Sequence, residues 1–201
     1  MNATIRPATQ QDAAGILAIY APIVRDTAIS FEVEPPTVPE MQQRISQTLL
    51  KFPWLVCERQ GDILGYVYAT QHRARAAYQW SVDVSVYIHA EVHRSGIGRG
   101  LYTALFSLLH RQGFYNLYAG ITLPNDGSVG LHEALGFQPV GVYHSVGFKF
   151  GAWHDVGWWQ LAIKERQLAP SSPVEVQAMV GRPDWSGLLA RGLSMIRARV
   201  A

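Results

Sequence analysis

One cysteine, Cys57, is all the disulfide-forming capacity in the 201 residues, so no bridge can form within the chain. It sits in the apolar run Trp54-Leu55-Val56-Cys57 and reads as a small core residue. No apolar run approaches the roughly 20 residues of a membrane span. The N-terminus lacks a basic stretch leading into an apolar one, so no secretory signal is expected and a cytoplasmic protein follows. Neither sign of charge dominates. Lys and Arg number 17 against 15 Asp and Glu, a net charge of +2, which argues against nucleic-acid binding by bulk electrostatics. Metal-ligand patterns are missing too. His89 and His93 are four apart, but their segment reads as a strand end and turn, and no carboxylate completes a His-Glu-x-x-His pattern. No metal is expected, and no internal repeat is present.

What is there is a folding domain. A hydrophobic share of 48% with 16% charged residues is that of a globular protein with one full core. Thr4–Ala8 reads as a short strand, and Thr9 with Asp12 as the start of a helix carrying Ile16, Ile19, Tyr20 and Ile23 on one face. The Pro- and Glu-rich stretch 30–39 reads as a loop. Met41, Ile45, Leu49 and Phe52 mark a second amphipathic helix. Trp54–Glu58 and Ile63–Ala69 flank Gly61-Asp62, which predicts an antiparallel hairpin. From Trp80 to Ile88 valines and Ile88 alternate with Asp83, Ser85 and Tyr87, placing those three on one sheet face. A glycine-rich turn, a helix bearing Leu101, Leu105, Leu108 and Leu109, a strand over 117–122, a short helix over 126–135 and two final strands follow. The order β-α-α-β-β-β-α-β-α-β-β predicts an α/β mixed sheet over residues 1–166. Residues 167–201 read as a linker, Pro170-Ser171-Ser172-Pro173, and a basic amphipathic tail. Trp185, Leu188, Leu189, Leu193 and Ile196 make its stripe, and Arg191, Arg197 and Arg199 its basic positions. Such a tail docks on its own domain or a second subunit, contacts an anionic membrane surface, or frays.

The chemistry concentrates where the Val84–Ile88 strand meets His93-Arg94-Ser95-Gly96-Ile97-Gly98-Arg99-Gly100. A glycine turn opening a helix leaves unpaired N–H groups at the positive end of the helix dipole, a seat for phosphate or pyrophosphate. Arg94 and Arg99 add charge. No Lys-Ser or Lys-Thr follows the glycines, so this is no P-loop. It also comes too late in the chain for a dinucleotide-binding first turn.

The turn resembles the coenzyme A loop of GNAT acetyltransferases, with His93 at the position usually held by Gln or Arg. Asn125 followed by Leu131-His132-Glu133-Ala134-Leu135-Gly136-Phe137 resembles that superfamily's later coenzyme segment. Trp80–Tyr87, Leu123-Pro124-Asn125-Asp126, Gly151-Ala152-Trp153-His154-Asp155-Val156, Ser30-Phe31-Glu32 and Arg73-Ala74-Arg75 are similar to the phosphinothricin N-acetyltransferase branch, over residues 3–165.

The resemblance implies an α/β GNAT fold of about seven strands, acetyl-CoA as cosubstrate, a homodimer, and transfer of acetyl to the free amine of phosphinothricin, methionine sulfoximine or methionine sulfone. It assigns coenzyme contacts to Val86, Tyr87 and Ile88, to His93, Arg94, Ser95, Gly96, Ile97, Gly98 and Arg99, and to Asn125. Asp83, where the branch usually has Glu, is the expected base or ammonium anchor. His132 is the second candidate, donating to the leaving thiolate or sharing the amine's proton with Asp83. Arg73 and Arg75 would pair with substrate anions, and Phe31, Glu32 and Tyr78 would shape the pocket. Two other readings stand beside this one: acetylation of a protein amine, and a coenzyme A-binding sensor without catalysis.

Overall fold

A computed structural model of the chain describes residues 3–197. Among these residues seven strands form one mixed sheet: β1 (Thr4–Pro7), β2 (Trp54–Arg59), β3 (Asp62–Gln71), β4 (Ser81–Ile88), β5 (Asn116–Leu123), β6 (Gln138–Lys149) and β7 (Ala152–Ala162). Their order is β1-β2-β3-β4-β5-β7-β6. All neighbours are antiparallel except β4 and β5, which run parallel. The helices are α1 (Ala13–Asp26), α2 (Val38–Thr48), α3 (Ile97–Gln112), α4 (Asp126–Ala134) and α5 (Trp185–Leu193). This is the α/β mixed sheet that the order of elements predicts, with the seven strands that the resemblance implies.

Local chemistry sets the element ends. At the start of α1, the Asp12 carboxylate accepts from the Thr9 backbone N–H at 2.7 Å and from Arg6 at 2.7 and 2.8 Å. Arg6 also donates to Glu58 of β2 at 2.7 Å, tying the first strand to the helix entry. The second helix begins at Val38, inside the stretch read as loop. Thr37 and Glu40 cap each other there, and Pro39 falls in the first turn, where its missing N–H costs nothing. Between β2 and β3, Gln60 (φ 58°) and Gly61 (φ 91°) both adopt the left-handed conformation that a two-residue hairpin turn requires.

The strand alternation sorts side chains between two cores. Ile16, Tyr20, Met41 and Ile45 of α1 and α2 pack with Trp54, Val56 and Tyr66 on one face. On the other, Leu101, Leu105 and Leu108 of α3 pack with Leu55, Cys57, Val67, Val82 and Val84. Cys57 is fully buried, and burial pushes its thiol up to about 11, so it is inert packing rather than a reactive group. Val86 and Ile88 follow Val84 toward α3, whereas Tyr87 packs with the α1 and α2 side.

The C-terminal segment closes the α3 face. Val176, Met179, Leu188 and Leu189 are buried. Of these, Met179, Leu188 and Leu189 join the core beneath α3. Helix α5 crosses α3 where two glycines meet: a Cβ at Gly100 would sit 2.7 Å from the Gly192 carbonyl oxygen, and one at Gly192 would collide with the Gly100 carbonyl. Beyond α5 the backbone reaches the glycine-rich turn, where the Arg197 N–H donates to the Ser95 carbonyl at 2.9 Å. Arg199 lies outside the described residues. Gly192→Val is expected to force α5 off α3 at a cost of about 1–3 kcal/mol, read as a melting temperature several degrees lower. An unchanged melting curve would show that the helix contact carries no stability.

Candidate active site

The parallel pairing of β4 with β5 is short. It runs through Ser81 with Asn116, Val82 with Leu117 and Asp83 with Tyr118, then stops while both strands continue. On their outer edges the strands stay bonded, β4 to β3 as far as Ile88 and β5 to β7 as far as Leu123. The sheet therefore forks at Asp83, and the inner edges beyond it lack a ladder partner. Backbone groups so placed call for a hydrogen-bonding partner. The groove in the fork is lined by Ser85, Val86, Ile121, Asn125, Tyr102 and His132, with Ile29 of the α1–α2 loop at its mouth. A shallower, open depression past Asn125 continues it toward Trp153 and His154.

At the far end of β4 the chain enters the glycine-rich turn. His93 Nε2 donates to the Ile88 carbonyl at 3.1 Å, tying the turn to the strand end, and Ser95 Oγ donates to Val92. Arg94 (φ 61°) and Gly96 (φ 87°) take left-handed conformations, the former uncommon for a residue with a side chain. Gly96 is the N-cap of α3, and among the described residues no side chain caps that end, where the first-turn N–H groups of Ile97, Gly98 and Arg99 have no intrahelical partner. Gly98 lets α4 approach: a Cβ there would meet Leu131 at 3.1 Å. Asn125 caps α4, its Oδ1 accepting from the Ser128 N–H at 3.1 Å while the residue lines the groove.

Residues 5–158 match the family described as Acetyltransferase (GNAT) domain. The chain belongs to the GNAT acetyltransferase family. It is 41% identical over 171 residues to a phosphinothricin N-acetyltransferase of Streptomyces viridochromogenes, covering 85% of this chain and 92% of that protein. It is 33% identical to an L-methionine sulfoximine/L-methionine sulfone acetyltransferase of Pseudomonas paraeruginosa, covering 85% of this chain and all of that one. Among solved structures it superposes with a phosphinothricin acetyltransferase from Sinorhizobium meliloti in complex with acetyl-CoA. The TM-score is 0.81 at 33% identity, covering 87% of this chain and 96% of that one.

The acetyltransferase fold does not bring the two expected catalytic residues together. Asp83 sits at the base of the fork on the α1–α2 side, its Oδ1 2.6 Å from His72 Nδ1. Burial raises its carboxyl above the ordinary range, partly offset by the His72 hydrogen bond and the nearby Arg73 charge. His132 lies on the α3 side, packed against Phe137 and only 3% exposed. Its Nδ1–H donates to the Ser128 carbonyl at 2.7 Å, and its Nε2 accepts from the Tyr102 hydroxyl at 2.8 Å. Burial lowers its pKa, partly offset by the Ser128 carbonyl. Asp83 and His132 therefore belong to two separate polar pairs, one on each face of the sheet.

The expected pocket residues divide likewise. Arg73, Arg75 and Tyr78 are exposed on the β3–β4 connection, with the Tyr78 ring edge-on to His72 at 6.0 Å. Phe31 lies across the cleft over Gly147 of β6, 6.2 Å from the His154 ring. Glu32 is not free for a ligand: Arg44 donates to both its oxygens at 2.6 and 3.1 Å, and the Tyr20 hydroxyl donates at 2.9 Å. It holds the α1–α2 loop in place. Lys149 does the same from below. It is 7% exposed, and its ammonium donates to the carbonyls of Val24 at 2.6 Å and Ser30 at 2.7 Å.

His72, Tyr102 and Lys149 escaped the sequence reading. His72 stands immediately before the Arg73-Ala74-Arg75 motif, yet its partner is set by the β3–β4 register, which no local pattern reveals. Tyr102 shares the buried α3 face with leucines and reads as core. Lys149→Met is expected to strand the two carbonyls in the interior at about 1–3 kcal/mol each. Faster amide hydrogen exchange over residues 24–32 and a lower melting temperature would register it. Unchanged exchange there would mean that the loop is held by other contacts.

Proposed function

We propose that this acetyltransferase moves an acetyl group from acetyl-CoA directly to the free amine of a small amino acid of the phosphinothricin or methionine sulfoximine kind. The observation that carries this reading is the fork: a groove with open strand edges that ends at a half-buried carboxylate and begins at a helix N-terminus that no described side chain caps. In this reading the pyrophosphate seats on the turn from His93 to Arg99, and Asn125 contacts the coenzyme further along. The pantetheine arm takes the place of the missing strand partner along Val86, Tyr87 and Ile88. A backbone N–H of that edge receives the thioester oxygen as it becomes an oxyanion.

The acceptor enters from the Asp83 side, where its ammonium meets a carboxylate of raised pKa. Arg73 is close enough to Asp83 to act on its charge, which suits an amine and an acid group separated by one carbon. Arg75, Tyr78 and Phe31 complete the walls, with Glu32 acting through the loop it holds. On the other face the Tyr102–His132 pair serves the leaving group. The Tyr102 hydroxyl turns from His132 Nε2 to donate a hydrogen bond to the thiolate sulfur as its charge develops, while the bond from His132 Nδ1 to Ser128 keeps the imidazole in place behind it.

The described residues to 197 form one domain, with 174–197 bracing the coenzyme turn from behind rather than acting as a separate module. The exposed apolar residues Val140, Val142, Val146, Phe148 and Trp153 on β6 and β7 offer an edge for a second copy, and we assign the homodimer contact to that hairpin. Acetyl-CoA is an intracellular donor, so the cytoplasm is the assigned compartment.

Release of coenzyme A thiol from acetyl-CoA is expected to depend on phosphinothricin, methionine sulfoximine or methionine sulfone. Tight acetyl-CoA binding with no release on any small amine would instead favour the sensor reading. Tyr102→Phe is expected to keep the fold and acetyl-CoA binding while kcat falls on the order of 100-fold. Wild-type turnover in that variant would remove the pair from the chemistry.

A further inference from the structure

The carboxylate at the fork does not stand alone. Its Oδ1 is 2.6 Å from His72 Nδ1, and the two side chains are 28% and 12% exposed. A carboxylate at that distance holds the proton on Nδ1 and leaves Nε2 with its lone pair. Nε2 has no hydrogen-bond partner among the described residues. The ring is held on three sides. It stacks on Tyr118 with centroids 4.3 Å apart and planes 14° apart, and it meets the edges of Tyr78 at 6.0 Å and Trp158 at 6.3 Å. Tyr118 is the β5 residue paired with Asp83 at the last rung before the fork, so the imidazole lies over the point where the groove opens. Trp158 Nε1, on the same wall, is buried and has no hydrogen-bond partner among the described residues.

We propose that His72 is the group that takes the proton from the acceptor amine, and that Asp83 is the carboxylate that orients it. The assignment rests on the acetyltransferase reading above. An Asp side chain is one carbon shorter than the Glu usual in this branch, and here its Oδ1 is already engaged by an imidazole. The imidazole extends the reach of the carboxylate and places a second nitrogen, with its lone pair free, where the carboxylate itself does not reach.

The step balances as follows. His72 Nε2 takes one proton from the ammonium, and the freed nitrogen lone pair forms the C–N bond to the thioester carbonyl. The oxyanion collapses, the C–S bond breaks, and the thiolate takes a proton. That proton is the nitrogen's second one, released as the amide forms, and His72 returns the first to solvent.

The groups facing His72 are Asp83 from β4, Tyr118 from β5, Tyr78 from the 76–78 turn and Arg73 next in the chain; β7 contributes the uncharged Trp158. Because His72 acts in its neutral form, kcat/KM for the amine is expected to rise with pH. His72→Ala is expected to lower kcat/KM on the order of 100- to 10,000-fold, to lose that limb of the pH profile, and to leave acetyl-CoA affinity unchanged. Added imidazole is expected to restore turnover in proportion to its concentration, a response that a packing role would not give. Asp83→Asn is expected to weaken but not abolish turnover, with its residual activity still dependent on His72. The proposal is overturned if His72→Ala keeps wild-type turnover. It is equally overturned if the variant binds acetyl-CoA normally but is neither rescued by imidazole nor altered in its pH limb. If the wild-type protein releases no coenzyme A with any amine, it is the acetyltransferase reading that fails, and the His72 variants then decide nothing against the pair.

Discussion

The structure turns on one interrupted hydrogen-bond ladder. Strands β4 and β5 pair only through Asp83 and Tyr118 and then diverge. A sheet interior with unpaired backbone is costly unless a ligand or water supplies the missing partner. The two flanking ladders hold the arms apart, since β3 and β7 stay bonded along them. The groove is thus built into the sheet and does not depend on a mobile loop. An extended chain with amide groups, such as a pantetheine arm, is the kind of ligand such an edge pairs with. The position of Asp83 at the last rung then follows from strand alternation: it is the residue whose side chain leaves the sheet where the fork begins.

Polar groups flank this apolar framework in closed pairs. Tyr102 and His132 satisfy each other on the α3 side, and Ser128 satisfies the second imidazole nitrogen. Asp83 and His72 meet on the other side. Lys149 and the Arg44–Glu32–Tyr20 set fix the loop above the cleft. Buried polar groups of this kind are costly unless bonded, and once bonded they hold one geometry. They place the titratable groups of the cleft within fixed reach of its apolar walls.

The chain beyond the family match is part of the same body. The GNAT domain match ends at residue 158, yet Val176, Met179, Leu188 and Leu189 are buried and Arg197 bonds to Ser95 in the coenzyme turn. An α-helix meeting another at paired glycines brings backbones close enough for the tail to contact the turn. A segment whose composition reads as a linker and a basic stripe thereby becomes a support for the glycine-rich turn.

Much of the fold was legible in the chain because the signals are local. The alternation from Val82 to Ile88 fixes which side chains share a face. The spacing of Leu101, Leu105, Leu108 and Leu109 fixes the buried side of α3, and Gly96 with Gly98 marks a turn that only small residues form. The start of α2 was less legible because its signal is a reciprocal cap, Thr37 with Glu40, embedded in a Pro-rich stretch. The site was half legible for the same physical reason. Residue types suited to the chemistry could be read one by one, but partners could not. Whether Asp83 meets His72 or His132 depends on strand register and on which sheet face a distant helix packs against. His72 and Asp83 are eleven residues apart and joined by a hairpin register; Tyr102 and His132 are thirty apart and joined by helix packing. Local periodicity decides what a residue faces, while long-range packing decides what it touches, and proton transfer depends on touch.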